Sequence, residues 1–312
     1  MPFFSVIIPL YNKADFILNT LNSVQKQTFK DFEVIIVNDG STDNSFEVAK
    51  NLNDERFRVV SQENQGASSA RNRGVNLASA NWIALLDADD IWYENHLEQL
   101  YETIQKLKNV DLVSNAYHVK LSPNYIKTPK YSKTPSEEIS LIKNYFEYSY
   151  IDPLFWTSSI AFKKTCFDNI NGFDENLKTG QDLDLMIRFT LENYVLGYNP
   201  KVTLLYQRFT QENLSSTIDL TEKQKYINKH IYNEIKSTSL KKYLDINRYS
   251  LCLQAKMNGQ MKLYKAMKTQ IDISNLSFKQ QLILKLPSYI LGFLKLIQAK
   301  LIAINIYKSA FN

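Results

Sequence analysis

Four apolar runs, each closed by polar residues and followed by a helical pattern, constrain this chain more than any other feature. "FSVIIPL", "FEVIIVNDG", "RFRVVSQ" and "WIALLDAD" occur in that order within the first 90 residues. Runs this short and continuously apolar suit strands covered on both faces. Helical periodicity fills the gaps. From Ala14, the positions Ala14, Ile17, Leu18, Leu21 and Val24 trace one face. "STDNSFEVAKNL" predicts a second helix with Ser41 or Thr42 as its N-cap, and "GASSARNRGVNLA" predicts a third. A fourth is expected from about Glu94 to Lys108, leading into the strand "VDLVSNAYHV". The alternation predicts an α/β fold, with a mostly parallel sheet and helices on both faces.

In such sheets ligands bind beyond the carboxyl ends of the strands. The polar residues collect at those ends: Pro9, Tyr11 and Asn12 at the first, Asn38, Asp39 and Gly40 at the second, Asp87 and Asp89 at the fourth. Parallel neighbours bring them to one rim. Like charges there need an offset, since two carboxylates about 6 Å apart repel by about 3 kcal/mol at an effective dielectric near 20. Water, a helix start or a bound cation can supply it. The turn "PLYNKAD" has no glycine, which excludes the GxGxxG dinucleotide fingerprint and the P-loop. It equally lacks the glycine-rich loop of a sugar nucleotidyltransferase.

The chain has 312 residues, 44% of them hydrophobic, enough for one large domain or a domain with an extension. Its net charge of +5 hides an asymmetry. Residues 221–312 hold 16 Lys+Arg and 4 Asp+Glu, leaving 21 and 28 for the first 220 residues. The two parts therefore face different partners, and a boundary is expected near Asp219. Cys166 and Cys252 are far apart and form no metal-ligating pattern, which fits a reducing compartment. "MPFFSVIIPLYNKADF" lacks a basic n-region and a small-residue cleavage site, and no run of about 20 apolar residues exists, so a cytoplasmic protein is expected.

Three segments, "SVIIPLYNKADFILNTLNSVQKQTFKDFEVIIVNDGSTD", "ENQGASSARNRGVNLASANWIALLDADD" and "TGQDLDLMIRF", resemble the family-2 glycosyltransferases with the Rossmann-like GT-A fold. They follow the family's order and span about Phe3 to Tyr206. The resemblance implies a GT-A catalytic domain over 1–219, with a nucleotide-sugar half to about 110 and an acceptor half beyond it, then a basic helical region over 220–312. It implies an inverting transfer from a nucleoside-diphosphate sugar to a hydroxyl of a glycan or lipid-linked acceptor in surface polysaccharide synthesis.

Asp87 and Asp89 resemble the family's DxD motif. In an extended segment residues i and i+2 project to one side, so both carboxylates can face one cation while Asp90 points away. Hard oxygen ligands suit Mn²⁺ or Mg²⁺ bridging to a diphosphate. The resemblance makes Asp89 the main metal ligand and has Asp87 contact ribose or metal; alternatively Asp89 or Asp90 caps the next helix. Asp39 resembles the residue that reads the nucleobase, and a carboxylate accepting the imide N–H of uracil points to UDP. Asn38 departs from the Asp-Asp-Gly-Ser often found there, and Asn-Asp-Gly-Ser is also good turn chemistry. Pro9, Tyr11 and Asn12 match the family's nucleotide-binding start, where Tyr11 stacks on the base or packs internally. Arg71 is the expected contact to base or diphosphate, and Arg73 an ordinary solvated charge.

By the same resemblance Asp182 is the base that takes the proton from the attacking hydroxyl. Gln181 stands where the family commonly has Glu, so it binds the acceptor without titrating. Asp184 favours the positive end of the helix dipole, and the alternative for Asp182 is the same dipole role. Trp156 lies on the acceptor side, as a stacking platform for a sugar or as core packing. The segment "YQRFTQENLSS" lacks the histidine that many members use at the metal, so either the metal has fewer protein ligands or Arg208 substitutes by contacting phosphate.

In the tail, Phe293, Leu294, Ile297, Leu301 and Ile304 share one helical face interrupted by Lys295, Lys300 and Lys308. That pattern over 287–308 suits peripheral contact with the inner face of a membrane, and equally packing on the catalytic domain or a dimer. Two other readings compete with catalysis: an inert nucleotide-sugar binding module, and nucleic-acid binding through the basic tail. The tail carries no nucleic-acid-binding motif, and no nucleic-acid partner is expected.

Overall fold

The computed structural model describes residues 1–208 and 219–307. Within them one mixed sheet is built from β1 (Phe4–Leu10), β2 (Phe32–Asp39), β3 (Phe57–Gln62), β4 (Trp82–Leu85), β5 (Ile91–Trp92), β6 (Leu112–Ser122), β7 (Tyr125–Lys127), β8 (Ser140–Ile142), β9 (Ile160–Lys163) and β10 (Leu196–Gln207). The order is β3-β2-β1-β4-β9-β6-β10-β5, with β7 on β6 and β8 on β10. The first four run parallel. Strand β9 lies antiparallel between β4 and β6, and β6 and β10 are parallel again.

Alternate residues of the buried strands enter different cores, which is why the runs read as continuously apolar. Val6 and Ile8 join the face covered by α1 (Ala14–Gln25), and Ile7 joins the opposite face with Ala70 and Val75 of the helix that follows β3. On α1 the inward stripe is Ile17, Thr20, Leu21 and Val24, whereas Leu18 is exposed. Thr20 replaces it inside because its hydroxyl donates to the carbonyls of Ala88 and Asp90, both at 2.9 Å. Helix α2 (Ser45–Lys50) starts later than expected, after Asn44, because Ser41 and Thr42 bond Asn12 instead of capping. The following helices are α3 (Ala67–Leu77), α4 (His96–Leu107), α5 (Tyr145–Tyr148), α6 (Lys164–Asn169) and α7 (Gln181–Leu191).

The tail forms α8 (Leu220–Lys229), α9 (Ile231–Glu234), α10 (Thr238–Met257), α11 (Met261–Thr269), α12 (Phe278–Lys285) and α13 (Ser288–Ala303). Leu240, Leu244, Cys252 and Met267 continue the apolar core on the Ile7 face of the sheet. Both cysteines are free and buried. Helix α13 is mostly apolar, with Lys295 and Lys300 exposed. Leu291 is buried and Leu294 and Leu301 are half-buried, so these turn toward the protein. Tyr289, Phe293, Leu296, Ile297 and Ile304 are exposed and form one outward stripe. The expected face thus splits: Phe293, Ile297 and Ile304 face outward, Leu294 and Leu301 inward. Lys308 lies outside the described residues. No helix among them is long and apolar enough to cross a membrane.

Candidate active site

The carboxyl ends of β1, β2 and β4 meet at one rim, as parallel pairing requires; Leu10 is level with Asn38 and Ile7 with Leu85. Asn12, at φ 48, ties two loops together. Its amide oxygen accepts from Thr42 N at 2.8 Å, and its own N–H donates to Ser41 Oγ at 3.1 Å. Tyr11 beside it is 42% exposed, so its ring is a surface and not core packing. Pro9 sits within β1, half-buried, opposite Val37. Asp39 is buried and oriented by three donors: Gln62 Nε2 at 2.8 Å and Gln65 N at 2.9 Å on Oδ1, Gly66 N at 2.8 Å on Oδ2. Gly40 follows at φ +71, where an added Cβ would meet Asn64 N at 2.9 Å, so the turn that carries Asp39 needs glycine there. Arg73 is not merely solvated; it donates to Ser61 O at 2.8 Å and steadies the end of β3.

The acidic segment departs from the extended geometry expected of it. Strand β4 ends at Leu85, and Asp90 N donates back to Asp87 O at 3.0 Å, closing a turn over Ala88 and Asp89. The pleat therefore does not set the two carboxylates side by side; the turn and their cationic partners orient them. Arg71 Nη2 pairs with Asp87 at 2.5 Å, and Lys13 Nζ pairs with Asp89 at 2.8 Å. Burial pushes the Asp89 carboxyl above the ordinary carboxylate range; Lys13 opposes this and the Asp87 charge adds to it. Asp90 caps no helix, since α4 begins only at His96 behind Asn95. It is buried instead, accepting from Ser158 Oγ at 2.6 Å and Gln207 N at 3.1 Å. That burial, with the neighbouring charges of Asp89 and Asp87, holds its carboxyl well above the usual range.

Across the rim, Asp182 stands in the first turn of α7 and lines a recess with Trp156, Thr157, Phe173 and Tyr145. Burial raises its carboxyl pKa, and the charge of Asp87 adds to that; the backbone N–H of Leu183 and the charge of Arg71 lower it. Gln181 is beside it at the helix start, half-buried. Trp156 sits just before β9, in the approach to a short 3-10 turn, stacked on Tyr206 at 4.1 Å between ring centroids. Its indole Nε1 is buried and has no partner among the described residues.

Asp184 does more than face a dipole. It is fully buried and bonds Arg188 Nε at 2.8 Å, His230 Nε2 at 2.9 Å and Lys229 Nζ at 2.9 Å. Burial raises its pKa, but the His230 hydrogen bond and the Arg188 and Lys229 charges outweigh it and bring it to about 2. Helix α8 thus braces the start of α7. The Tyr226 ring packs against Gly180, where an added Cβ would lie 2.3 Å from the ring. Lys13, Ser158, Tyr226 and His230 carry no motif, and their only sequence signal is the excess of polar groups near apolar runs. Arg208, whose N–H donates to Lys120 O at 3.0 Å, precedes a stretch, 209–218, that lies outside the described residues, including most of "YQRFTQENLSS".

No three His, Cys, Asp or Glu side chains converge among the described residues. Asp87 and Asp89 remain as an oxygen pair that fits a hard divalent cation, which takes one or two carboxylates and completes its shell with phosphates. Asp89 already accepts an ammonium at 2.8 Å, and burial raises its pKa, so positive charge is favoured beside it.

A mixed sheet with acids at one rim and a carboxyl at a facing helix start is the GT-A arrangement. The family model for Glycosyl transferase family 2 matches residues 5–167, just over half of the chain, and the chain belongs to that family. The amylovoran biosynthesis glycosyltransferase AmsB of Erwinia amylovora is 32% identical over 203 residues, covering 59% of this chain and 63% of that protein. Glycosyltransferase GlyG of Streptococcus pneumoniae is 41% identical over 117 residues, 36% of this chain and 38% of that protein. The chain spans less than two thirds of either relative. In fold it resembles residues 1–349 of S. aureus TarS, solved in complex with UDP-GlcNAc, with TM-score 0.68, 18% identity and coverage of 87% of this chain and 82% of that one.

Proposed function

We propose that this protein is an inverting glycosyltransferase that moves a sugar from a UDP-sugar to a hydroxyl of a glycan or lipid-linked acceptor in surface polysaccharide synthesis. The observation that carries this reading is the position of Asp182, in a recess facing the Arg71–Asp87 pair, where one carboxyl can serve the acceptor while the rim serves the nucleotide. The amylovoran relative and the UDP-GlcNAc complex of TarS support the product and donor classes.

Asp39 has an accepting lone pair left on Oδ2 for the imide N–H of uracil, since Gly66 N is the one donor there among the described residues. Tyr11 stacks on the base, and Pro9 and Asn12 shape the loop beneath it. Arg71 and Lys13 meet the diphosphate charge. Mn²⁺ or Mg²⁺ held by Asp89, with Asp87, would supply Lewis-acid neutralisation of the departing diphosphate. Asp182 takes the proton of the acceptor hydroxyl as its oxygen bonds the anomeric carbon. The bond from that carbon to the diphosphate oxygen breaks in the same in-line step, so the configuration inverts. Gln181 and Trp156 Nε1, which has no partner among the described residues, hold sugar hydroxyls in this reading.

Calorimetry against UDP-, GDP- and dTDP-sugars with Mn²⁺ tests the donor. A UDP-sugar is expected to bind and to be consumed only when an acceptor is present. Binding of none of them, or of GDP- or dTDP-sugars alone, defeats the assignment.

We also propose that residues 1–219 act as the catalytic unit, and that the basic extension holds the protein on the inner face of the membrane. Residues 273–312 contain five lysines and no Asp or Glu, and α13 turns Tyr289, Phe293 and Leu296 outward. Each lysine near an anionic surface contributes about 1 kcal/mol. The full chain is expected to sediment with anionic liposomes at low salt and to be released by high salt. Phe293→Glu with Leu296→Glu, both exposed, should leave it in the supernatant without harming the fold. A wild-type chain that stays in the supernatant rules out this location.

A further inference from the structure

A cavity of ≈ 270 Å³ lies between the loop 149–153, Leu183 of α7 and the tail helix α10. Leu183 also lines the recess that holds Asp182. The two spaces therefore share a wall one residue from that carboxyl. A second link runs through the tail. Tyr226, packed on Gly180 at the start of α7, donates its hydroxyl to Asn247 Oδ1 at 3.0 Å, and Asn247 lines the cavity.

The lining has a consistent chemistry. Tyr150, Tyr243 and Tyr249 supply aromatic rings, and Asn247, Ser250 and Gln280 supply amides and a hydroxyl. Among the described residues no lining side chain is charged, and the Lys242 ammonium lies over the Tyr150 ring at 5.0 Å. Asn247 Nδ2 donates to Tyr243 O at 2.8 Å, which fixes the amide and leaves it one more N–H. The cavity is far larger than the ~30 Å³ share of one water, and a space that size is not a packing defect of a close-packed core. A phosphate or carboxylate placed there would lose its hydration with no charged lining side chain to meet it. A sugar ring, with apolar C–H faces and neutral hydroxyls, matches both the rings and the amides.

We propose that this cavity is the subsite for an uncharged sugar unit of the acceptor, so that the tail helix α10 takes part in choosing the substrate. The proposal rests on the glycosyltransferase reading. The cavity adjoins the Asp182 recess at Leu183, as an acceptor reaching toward that carboxyl requires. It also assigns the charged part of a lipid-linked acceptor elsewhere, because no lining side chain among the described residues is charged.

Saturation-transfer NMR on the full chain with a panel of p-nitrophenyl hexosides and N-acetylhexosaminides tests this, with UDP affinity measured by calorimetry on the same samples. Ser250 is exposed at the rim, so Ser250→Trp fills the cavity without disturbing the core. At least one neutral glycoside is expected to bind. Ser250→Trp should weaken it by about tenfold or more, Ser250→Thr should retain it, and UDP affinity should stay unchanged in both. Glycoside binding that Ser250→Trp does not diminish overturns the assignment. So does preference for a p-nitrophenyl glucuronide over the neutral compounds, or UDP binding with no glycoside bound. Glycoside binding, sensitive to Ser250→Trp, in a chain that does not bind UDP defeats the transferase reading and leaves the sugar subsite standing.

Discussion

Asp182→Asn is expected to lower kcat by about 10²-fold or more, the scale of a lost general base, while leaving UDP affinity near that of the wild type. The substitution keeps the shape and the helix-start position, and removes only the group that can take a proton. Gln181 cannot take over, because an amide does not titrate in this range. Asp184, two residues on, is locked by Arg188, His230 and Lys229. Its pKa of about 2 makes it a poor proton acceptor. A pH profile gives a second readout. Asp182 must be ionised to act, and burial raises its pKa, so kcat should rise with pH through a value above the ordinary carboxylate range. The Asn variant should lose that limb. Collapse of UDP binding together with kcat would make Asp182 structural and move the base elsewhere.

Asp89→Ala should abolish Mn²⁺-dependent binding of the donor and turnover with it, since its carboxylate is the principal ligand proposed for the cation. The variant also leaves the Lys13 ammonium without its partner at 2.8 Å. That ammonium remains free to meet phosphate, so some metal-independent UDP affinity should survive, and calorimetry with and without Mn²⁺ separates the two contributions. Asp90→Asn is the matching control: Asp90 is buried against Ser158 and Gln207, so its loss should act on stability before metal affinity. Full activity of Asp89→Ala, or undiminished wild-type activity in excess chelator, would sink the metal assignment.

Much of the acidic rim was legible in the sequence. Strand β1 begins and ends as its apolar run does, and Asp39, Asp87 and Asp89 reach one rim because parallel strands place their carboxyl ends together. Hydrophobic period and strand direction are local properties, and short parallel connections leave them little choice of arrangement. The apolar runs thus determined by themselves that there is a covered sheet and which of its edges is polar.

The tertiary structure decided what period cannot express. The turn at Ala88–Asp89 breaks the alternation that would have aligned the acids, so Lys13 and Arg71 set their directions. Asp90 looks like its neighbours in sequence, yet it is buried against Ser158, 68 positions away. The brace on the Asp182 helix comes from His230, 46 positions beyond Asp184, and from Tyr226 against a glycine. Helix α13 shows the same division. Its apolar residues foretold one apolar face, for a membrane surface or for packing, but only the packed tail shows which half meets the core and which faces outward. A side chain in a turn, or at a contact between distant helices, points where packing and charge leave room, and no repeat in the chain encodes that direction.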